Sequence, residues 1–367
     1  MKVIFSSVVY DNPMPHLRSR QSMFPFVAET DDGKILCSHV IGEAFEAVNC
    51  TSYISESADG GRTWSAPVNM FDKASERVPV TDCCKITNLG GGRLVGIGYA
   101  FPRPNPDFAE GNGQTGGLLD DFVYITRSSD NGKTWTPYEE VPNAWGHHTE
   151  ASAPITVLKN GDWATPITGF PDWNGNMSGR LCGRLLRSSD EGKTWNDDTV
   201  CMQFPGDTVT CYEQRLCQLE SGALVVISWN EDTRTGERMN NHFSISYDNG
   251  KTFSEPMDTG VRGQASSVCA IGGEKLLALH AKRRDTDRPG VYGYIVNLAN
   301  GKWEIEEEAL LWEPATPIVR DKNMAEIFGF LKFGQPGAIL LKNGNILMVH
   351  WFAEQGQYKT VVTEIER

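Results

Sequence analysis

A short motif that occurs four times constrains the fold of this chain more than any other feature. Each copy reads Ser-x-Asp-x-Gly-x-Thr followed by Trp or Phe, and the copies lie at residues 57–64, 128–135, 188–195 and 246–253. An Asp side chain can accept hydrogen bonds from the N–H groups of a turn, and Gly adopts a positive φ at little cost. The aromatic residue at the end provides a large apolar anchor. The motif therefore predicts four equivalent turns in which Asp59, Asp130, Asp190 and Asp248 are structural.

A second repeat indicates six units. A Gly turn followed by an apolar strand occurs at Gly33, Gly92, Gly161, Gly222, Gly273 and Gly344, at intervals of 51 to 71 residues. Strand-rich repeats of this length, without helical periodicity, are typical of a radial repeat. The uneven intervals disfavour a solenoid. We therefore predict an all-β, six-bladed β-propeller that occupies residues 1–367 as a single domain.

The two ends of the chain both have the character of strands. Residues 3–10 precede the first repeat, and residues 358–365 follow the last one. Pairing of these segments would cover sheet edges that an open ring leaves exposed. We expect Val3–Tyr10 to complete the last blade.

Strand order then predicts which loops share a face. If each inner strand runs towards its Gly turn, the loops between blades and those between second and third strands meet at the opposite face, the mouth. Loops on one face of a rigid scaffold are where a binding site is expected. The longest mouth segments are 101–121 and 312–335, and the second is expected to hold a short helix around Asn323–Phe328.

Composition limits the possible partners and compartment. The net charge is −13, which argues against nucleic acid as the main partner. No apolar stretch reaches the roughly 20 residues of a membrane span. The nine cysteines include no Cys-x-x-Cys pair, and the N-terminus does not resemble a signal peptide, so we expect reduced thiols and a cytoplasmic protein. The sequence leaves the oligomeric state open.

Three acidic residues open consecutive inner strands, where side chains can point into the central funnel. Asp82, Glu150 and Glu213 are these residues, and His148 lies beside Glu150. Paired carboxylates can act as acid and base in glycoside hydrolysis, and a nearby His can move a proton. We expect these four to be catalytic. A metal site at His147, His148 and Glu150 is disfavoured because adjacent residues of an extended segment point in opposite directions, and no cofactor is expected.

Arginine and aromatic residues of the mouth loops are candidates for binding a sugar. Arginine forks bind carboxylates in a bidentate manner, and an aromatic ring can stack on a sugar face. The candidates for substrate binding are Arg20, Trp173, Arg180, Arg262 and Arg283.

The fourfold motif resembles the Asp box of the sialidase (neuraminidase) superfamily, also called the BNR repeat. The resemblance spans most of the chain, and it implies a six-bladed propeller with the boxes on the face away from the active site. A sialidase of this family uses a Tyr nucleophile, a Glu, an Asp acid/base and three Arg. Glu213 lies where the Glu is expected, and Asp82 where the acid/base is expected. The family's first-blade Arg is replaced within Met23-Phe24-Pro25, and its Tyr position falls near Gln335-Pro336.

These departures leave three functions open. The first is a sialidase-like glycoside hydrolase that removes a terminal acidic or deoxy sugar with two carboxylates in place of the sialidase Tyr and Arg residues. The second is a polysaccharide lyase acting on uronic acids, in which a His or Tyr base works beside Arg283, Arg284 and Arg288. The third is a propeller that binds glycans without turnover.

Overall fold

The computed structural model describes residues 1–284, 286–315 and 333–367, and nearly all regular structure in these ranges is β-strand. The strands form six antiparallel sheets arranged as the blades of a propeller, together with one small hairpin. The predicted all-β, six-bladed fold is therefore confirmed. The predicted helix around Asn323–Phe328 lies outside the described residues.

Each blade has an inner and a second strand that together build the wall of the central funnel. The inner strands are β2 (Gln21–Glu29), β6 (Val80–Gly90), β10 (Thr149–Glu150) with β11 (Thr156–Val157), β15 (Tyr212–Gln218), β21 (Ser266–Gly272) and β25 (Phe333–Leu340). The second strands are β3 (Ile35–Gly42), β7 (Arg93–Pro102), β12 (Trp163–Gly169), β16 (Leu224–Trp229), β22 (Lys275–Lys282) and β26 (Ile346–Glu354). Residues from all six inner strands line an axial cavity of about 620 Å³.

The third and fourth strands form the outer half of each blade. The third strands are β4 (Thr51–Ser57), β8 (Phe122–Ser128), β13 (Cys182–Ser188), β19 (His242–Ser246), β23 (Gly290–Asn297) and β27 (Gln357–Glu366). The outermost strands are β5 (Val68–Asn69), β9 (Glu139–Glu140), β14 (Asn196–Gln203), β20 (Met257–Asp258), β24 (Glu304–Trp312) and β1 (Lys2–Tyr10). The extra hairpin is β17 (Glu231–Asp232) with β18 (Glu237–Arg238), and Lys73–Ser75 form a 3₁₀ turn.

The sixth blade joins the two ends of the chain. Strand β1 pairs antiparallel with β27, with Val8 opposite Val361 and Ser6 opposite Thr363. The other two strands of this sheet, β25 and β26, also come from the C-terminal end. The N-terminal strand is thus the outermost strand of the last blade.

The four repeated motifs form one turn geometry. In the second copy, Asp130 Oδ1 accepts hydrogen bonds from the N–H groups of Lys133 and Thr134 at 3.0 and 2.9 Å, and Oδ2 accepts the Thr134 hydroxyl at 2.6 Å. These donors lower the pKa of Asp130 to about 2. The Asn131 N–H donates to the carbonyl of Gly92 at 2.9 Å. The motif and the Gly turn of the same blade therefore share a face, opposite the mouth.

The core is divided among the interfaces between neighbouring blades. Phe243 of blade four packs with Leu276 of blade five, and Ile97 of blade two packs with Trp163 of blade three. Each adjacent pair of blades has such an apolar cluster in the described structure. Burial of these side chains fixes the blades rigidly, so the strand ends at the mouth hold their side chains in defined positions.

Two further observations concern the described residues. All nine cysteines are buried and carry free thiols. Among the residues with assigned structure, no helix is long and apolar enough to cross a membrane.

Candidate active site

A cavity of about 330 Å³ lies at the mouth, where the inner strands of blades two, three and four begin. Asp82 on β6, Glu150 on β10 and Glu213 on β15 all line it. The structure therefore brings together the three acids that the sequence places at matching positions. Seven of the other lining residues are aromatic: Phe24, Phe45, Tyr99, Phe101, Phe170, Tyr212 and Trp229.

Backbone bulges turn three side chains towards this cavity. The pairing of the inner strand with the second strand shifts register at Phe24, Glu213 and Gln335, in blades one, four and six. These residues have φ values of 51°, 47° and 44°. A non-glycine residue in this region costs about 1–3 kcal/mol and is found preferentially at functional sites. Three equivalent bulges around one cavity therefore mark it as the candidate active site.

Glu213 is held by two side chains. Its Oε2 accepts the indole N–H of Trp229 at 2.7 Å, and its Oε1 accepts the amide N–H of Gln335 at 2.6 Å. Because the amide nitrogen of Gln335 faces Glu213, the amide oxygen faces away, and this buried oxygen has no hydrogen-bond partner among the described residues. Gln335 thus places its amide N–H on Glu213 from a strained backbone conformation, which favours a role in fixing the Glu213 carboxylate.

Glu150 lies directly beside Glu213 and is almost completely buried. The backbone N–H of Glu213 donates to Glu150 Oε2 at 3.0 Å. Desolvation, followed by the neighbouring charge of Glu213, raises the pKa of Glu150 to about 7. Arg215 moderates this rise, and its guanidinium donates to the hydroxyl of Ser152 at 2.8 Å. A carboxyl group that titrates near neutral pH is suited to donate a proton to a leaving group.

Asp82 has a different environment, although it lines the same cavity. Its side chain has no exposed surface, and its Oδ2 lies 2.8 Å from the ammonium nitrogen of Lys73. The same oxygen accepts the hydroxyl of Thr51 at 2.6 Å and that of Tyr138 at 3.1 Å. The other oxygen accepts the backbone N–H of Ser52 at 3.0 Å. These bonds tie blade one to blade two and occupy the carboxylate, which favours a structural role over the acid/base role expected from the sequence.

We predict that Asp82→Asn lowers the free energy of unfolding by about 1.5–3 kcal/mol, because Lys73 then keeps only Glu76, at 3.1 Å, as a carboxylate partner. Urea unfolding followed by fluorescence measures this change, with Asp107→Asn on the exposed part of loop 103–121 as the matched control. If Asp82→Asn keeps the wild-type stability and loses turnover, Asp82 is the acid/base after all.

Loop 103–121 covers one side of the cavity. The guanidinium of Arg103 is buried and donates to Glu110 Oε1 at 2.8 Å and to the hydroxyl of Thr81 at 3.0 Å. Burial raises the pKa of Glu110 to about 7. The loop also contacts the mouth loop of blade three, since Asn112 and Thr115 donate to the carbonyl of Trp173. The two loops thus form one wall.

Gly117 is the closest contact in this wall. A Cβ atom at this position would lie 1.9 Å from the carbonyl oxygen of Asp172, a backbone atom that cannot move by a side-chain rotation. We predict that Gly117→Ala separates the loops, at a cost of about 1–3 kcal/mol, and raises KM with little change in kcat. Steady-state kinetics and limited proteolysis of the loop test this. Gly113→Ala is the control, because a Cβ there meets no atom within 4 Å, and equal KM values for both variants would contradict the prediction.

The remaining predicted residues lie outside the cavity lining. His148 pairs with Asp120 at 3.1 Å, and burial lowers its pKa. Arg180 donates to the backbone carbonyls of His147 and His148 at 2.8 and 3.2 Å, so it supports this turn. The ring of Trp173 packs on Phe108, with 6.0 Å between centroids. The structure does not bring these three residues into contact with the space between Glu150 and Glu213.

The other three predicted arginines are also placed elsewhere. The guanidinium carbon of Arg20 lies 6.0 Å from the ring centroid of Tyr10 and 5.7 Å from that of Tyr53. Arg262 and Arg283 line a separate, smaller cavity on the other side of Trp229. Arg283 also donates to the carbonyl of Phe333 at 3.2 Å. None of these five substrate-binding candidates belongs to the described lining of the main cavity.

Two site residues were missed as functional candidates. Gln335 precedes Pro336 at the register shift of β25, and a proline within a strand is a sequence signal for such a bulge. Its pairing with Glu213 cannot be predicted in this way, because the two residues are 122 positions apart. Tyr99 lies on β7 and lines the cavity, with its ring packed edge-on against Phe101 and Phe170. Burial raises the pKa of Tyr99 well above its usual value, so its hydroxyl stays protonated. Side chains alternate between the two faces of a strand, and this alternation along the second strand is the sequence signal that could have identified Tyr99.

No group of metal-ligating side chains occurs within the described ranges. The arrangement therefore offers carboxyl, hydroxyl and amide groups within an aromatic wall. Such a set can protonate one atom of a ligand. It can also attack a second atom directly, or remove a proton from a water molecule that attacks it.

Comparison with known proteins agrees with this fold. The family model of the BNR repeat-like domain matches residues 108–292. A protein of unknown function from Dyadobacter fermentans superposes with a TM-score of 0.74 at 20% identity, over 100% of this chain and 98% of that one. No curated protein sequence matches.

Sialidase structures also superpose on the chain. The intramolecular trans-sialidase of Ruminococcus gnavus has a TM-score of 0.66 at 12% identity, with 100% of this chain and 98% of that one covered. The Trypanosoma rangeli sialidase has a TM-score of 0.61 at 15% identity, with 94% and 55% covered. At such identities the likeness shows the fold alone. The chain belongs to the BNR repeat-like domain family.

Proposed function

We propose that the protein is a sialidase-like glycoside hydrolase in which Glu150 and Glu213 carry the chemistry. The observation that supports this most is the pair itself: two adjacent carboxyl groups, one with its pKa raised to about 7 and one oriented by two N–H donors. Carboxyl groups whose environments differ in this way can divide the acid and base roles of glycoside cleavage.

The proposed reaction adds one water across the glycosidic bond. Glu150 gives its proton to the glycosidic oxygen as the bond from the anomeric carbon to that oxygen breaks. Glu213 either attacks the anomeric carbon, with water later replacing it, or removes a proton from the water that attacks. The leaving oxygen gains a hydrogen, and the anomeric carbon gains a hydroxyl.

The size of the cavity supports action at the end of a glycan. Its volume of about 330 Å³ lies at the lower end of the range for ligand pockets, about 300–1,000 Å³. Such a space suits a terminal sugar rather than an extended chain. The loops 103–121 and 170–181 close one side, which favours an exo-acting enzyme.

Elimination from a uronic acid is less well supported. That reaction needs a cation to neutralise the carboxylate, and the described lining contains no Arg, Lys or His. Arg288 is bonded to Glu313 at 2.9 and 3.0 Å, so it is already paired.

Mass spectrometry of the products tests the proposal. The protein is incubated with sialosides, rhamnosides and uronic-acid oligosaccharides. Products whose summed mass exceeds that of the substrate by one water support a hydrolase. Products without added water would indicate a lyase, and substrate that binds but stays intact would indicate a binding propeller. Either result would overturn the proposal.

A further inference from the structure

The charge of the cavity wall restricts the sugar that it can hold. Five carboxyl groups line the cavity, those of Glu46, Asp82, Glu110, Glu150 and Glu213, and no basic side chain belongs to its described lining. A sugar bound beside Glu150 and Glu213 therefore meets several carboxyl groups and no basic side chain of the described lining.

Two of the five charges are neutralised locally. Lys73 pairs with Asp82 at 2.8 Å, and Arg103 pairs with Glu110 at 2.8 Å. Both cations are committed to these carboxylates, so neither is available to a ligand without breaking a buried pair.

The other three carboxyl groups form no ion pair among the described residues, although the charge of Arg215 acts on Glu150. Glu213 accepts hydrogen bonds from Trp229 and Gln335, which are neutral. Glu150 accepts the backbone N–H of Glu213, and Glu46 forms no ion pair among the described residues. An acidic sugar placed here would share the cavity with Glu213 and Glu46, and like charges repel most where solvent screens them least.

The rest of the wall favours an apolar sugar surface. Rings of Phe24, Phe45 and Phe170 line the cavity, and so do Val40 and Leu118. An apolar wall gives no partner to a buried hydroxyl, which is costly to leave unpaired. A methyl group at the sugar C6 position would contact this wall without that cost.

From these observations we infer that the cavity takes an uncharged sugar, best a 6-deoxyhexose, and excludes the corresponding uronic acid. The inference rests on the proposed glycoside hydrolase and specifies its substrate class. It restricts the sequence-based expectation, which allowed either an acidic or a deoxy sugar, to the deoxy sugar. Two of the four arginines that motivated an acidic sugar, Arg262 and Arg283, line the separate cavity beyond Trp229.

The test uses glycosides that differ only at C6. For each of the galacto, gluco and manno configurations, the 4-nitrophenyl 6-deoxyhexoside, hexoside and hexuronide are compared in both anomeric forms. In the configuration that is cleaved, we expect the 6-deoxyhexoside to have the highest kcat/KM. The hexuronide should be at least about 100-fold slower, because two like charges lie close to it. A hexuronide that reacts as fast as the uncharged glycosides of its series overturns the inference, while the proposed glycoside hydrolase activity still stands.

A substitution at Glu46 provides an independent readout. Glu46→Gln keeps the shape and removes one charge, so we expect the ratio of hexuronide to 6-deoxyhexoside kcat/KM to rise about tenfold. Glu43→Gln, outside the described lining, is the matched control and should leave the ratio at its wild-type value. Raising the salt concentration should increase the ratio in the wild type, because salt screens the repulsion. An unchanged ratio in Glu46→Gln and at high salt contradicts the inference.

Binding separates this inference from the proposed function. If no glycoside is cleaved, the proposed function fails, and calorimetry with the methyl glycosides of the same series still decides the inference. Tighter binding of the uncharged members supports it. Tighter binding of the hexuronides, or no binding of any member, overturns it.

Discussion

Replacing Glu150 with Gln is expected to slow the cleavage of an alkyl glycoside by about 10²–10⁴-fold, the usual contribution of a general acid. The cause is loss of the proton that Glu150 gives to the leaving oxygen. A 2,4-dinitrophenyl glycoside has a leaving group that needs no protonation, so its cleavage should slow far less. Comparing kcat/KM for the two substrates measures this difference. Equal losses for both would contradict the role of acid.

The same residue determines the expected pH dependence. Burial and Glu213 raise the pKa of Glu150 to about 7, so the carboxyl group is protonated below that pH and ionised above it. Because the acid form is the active one, kcat/KM should fall about tenfold per pH unit above about 7. The fall should be absent for the 2,4-dinitrophenyl substrate. A profile that rises through pH 7 would assign the titrating group to a base.

The second large effect is expected at Glu213. Glu213→Ala removes the carboxylate that attacks the anomeric carbon or activates water, and we expect turnover to fall by about 10²–10⁴-fold. Sodium azide or formate should restore part of the rate, since a small anion can occupy the vacated space between Trp229 and Gln335. Asp130→Asn, in the turn on the opposite face, is the control and should keep the wild-type rate. Full activity of Glu213→Ala would remove this residue from the mechanism.

The sequence predicted the fold well because the fold depends on local, repeated signals. Each Asp-box turn is closed by bonds within four residues, such as those from Thr134 to Asp130. The number of blades can therefore be predicted from six Gly turns and four such motifs without any knowledge of long-range contacts. The positions of Glu150 and Glu213 followed from the same repeat, because equivalent positions in successive blades face the same axis.

The roles within the site were harder to predict because they depend on partners distant in sequence. Asp82 looks equivalent to Glu150 along the chain, yet Tyr138 lies 56 residues away and closes its hydrogen-bond network. Arg180 lies on a mouth loop, as expected, but its guanidinium supports the backbone of His147 and His148. Residue type and loop position do not reveal which of these groups are already occupied.

The bulges show how one propeller backbone can present different side chains to the cavity. The register shifts at Phe24, Glu213 and Gln335 direct whatever residue stands there towards the cavity. By the resemblance, Phe24 follows Met23, which stands where the family has its first-blade Arg, and Gln335 lies near the position of the family's Tyr. Here they hold a phenyl ring and an amide, so the same backbone presents an apolar surface and a support for Glu213.

The central claim is that Glu150 and Glu213 act as one catalytic unit, and a double-mutant cycle tests it most directly. The measurement is kcat/KM of the wild type, Glu150→Gln, Glu213→Gln and the double variant on one alkyl glycoside. When two residues act together in one step, replacing the second one has little further effect on the rate once the first has been replaced. The double variant should therefore be no more than a few-fold slower than the slower single variant. Losses that multiply in the double variant, or a single variant with the wild-type rate, would contradict the account.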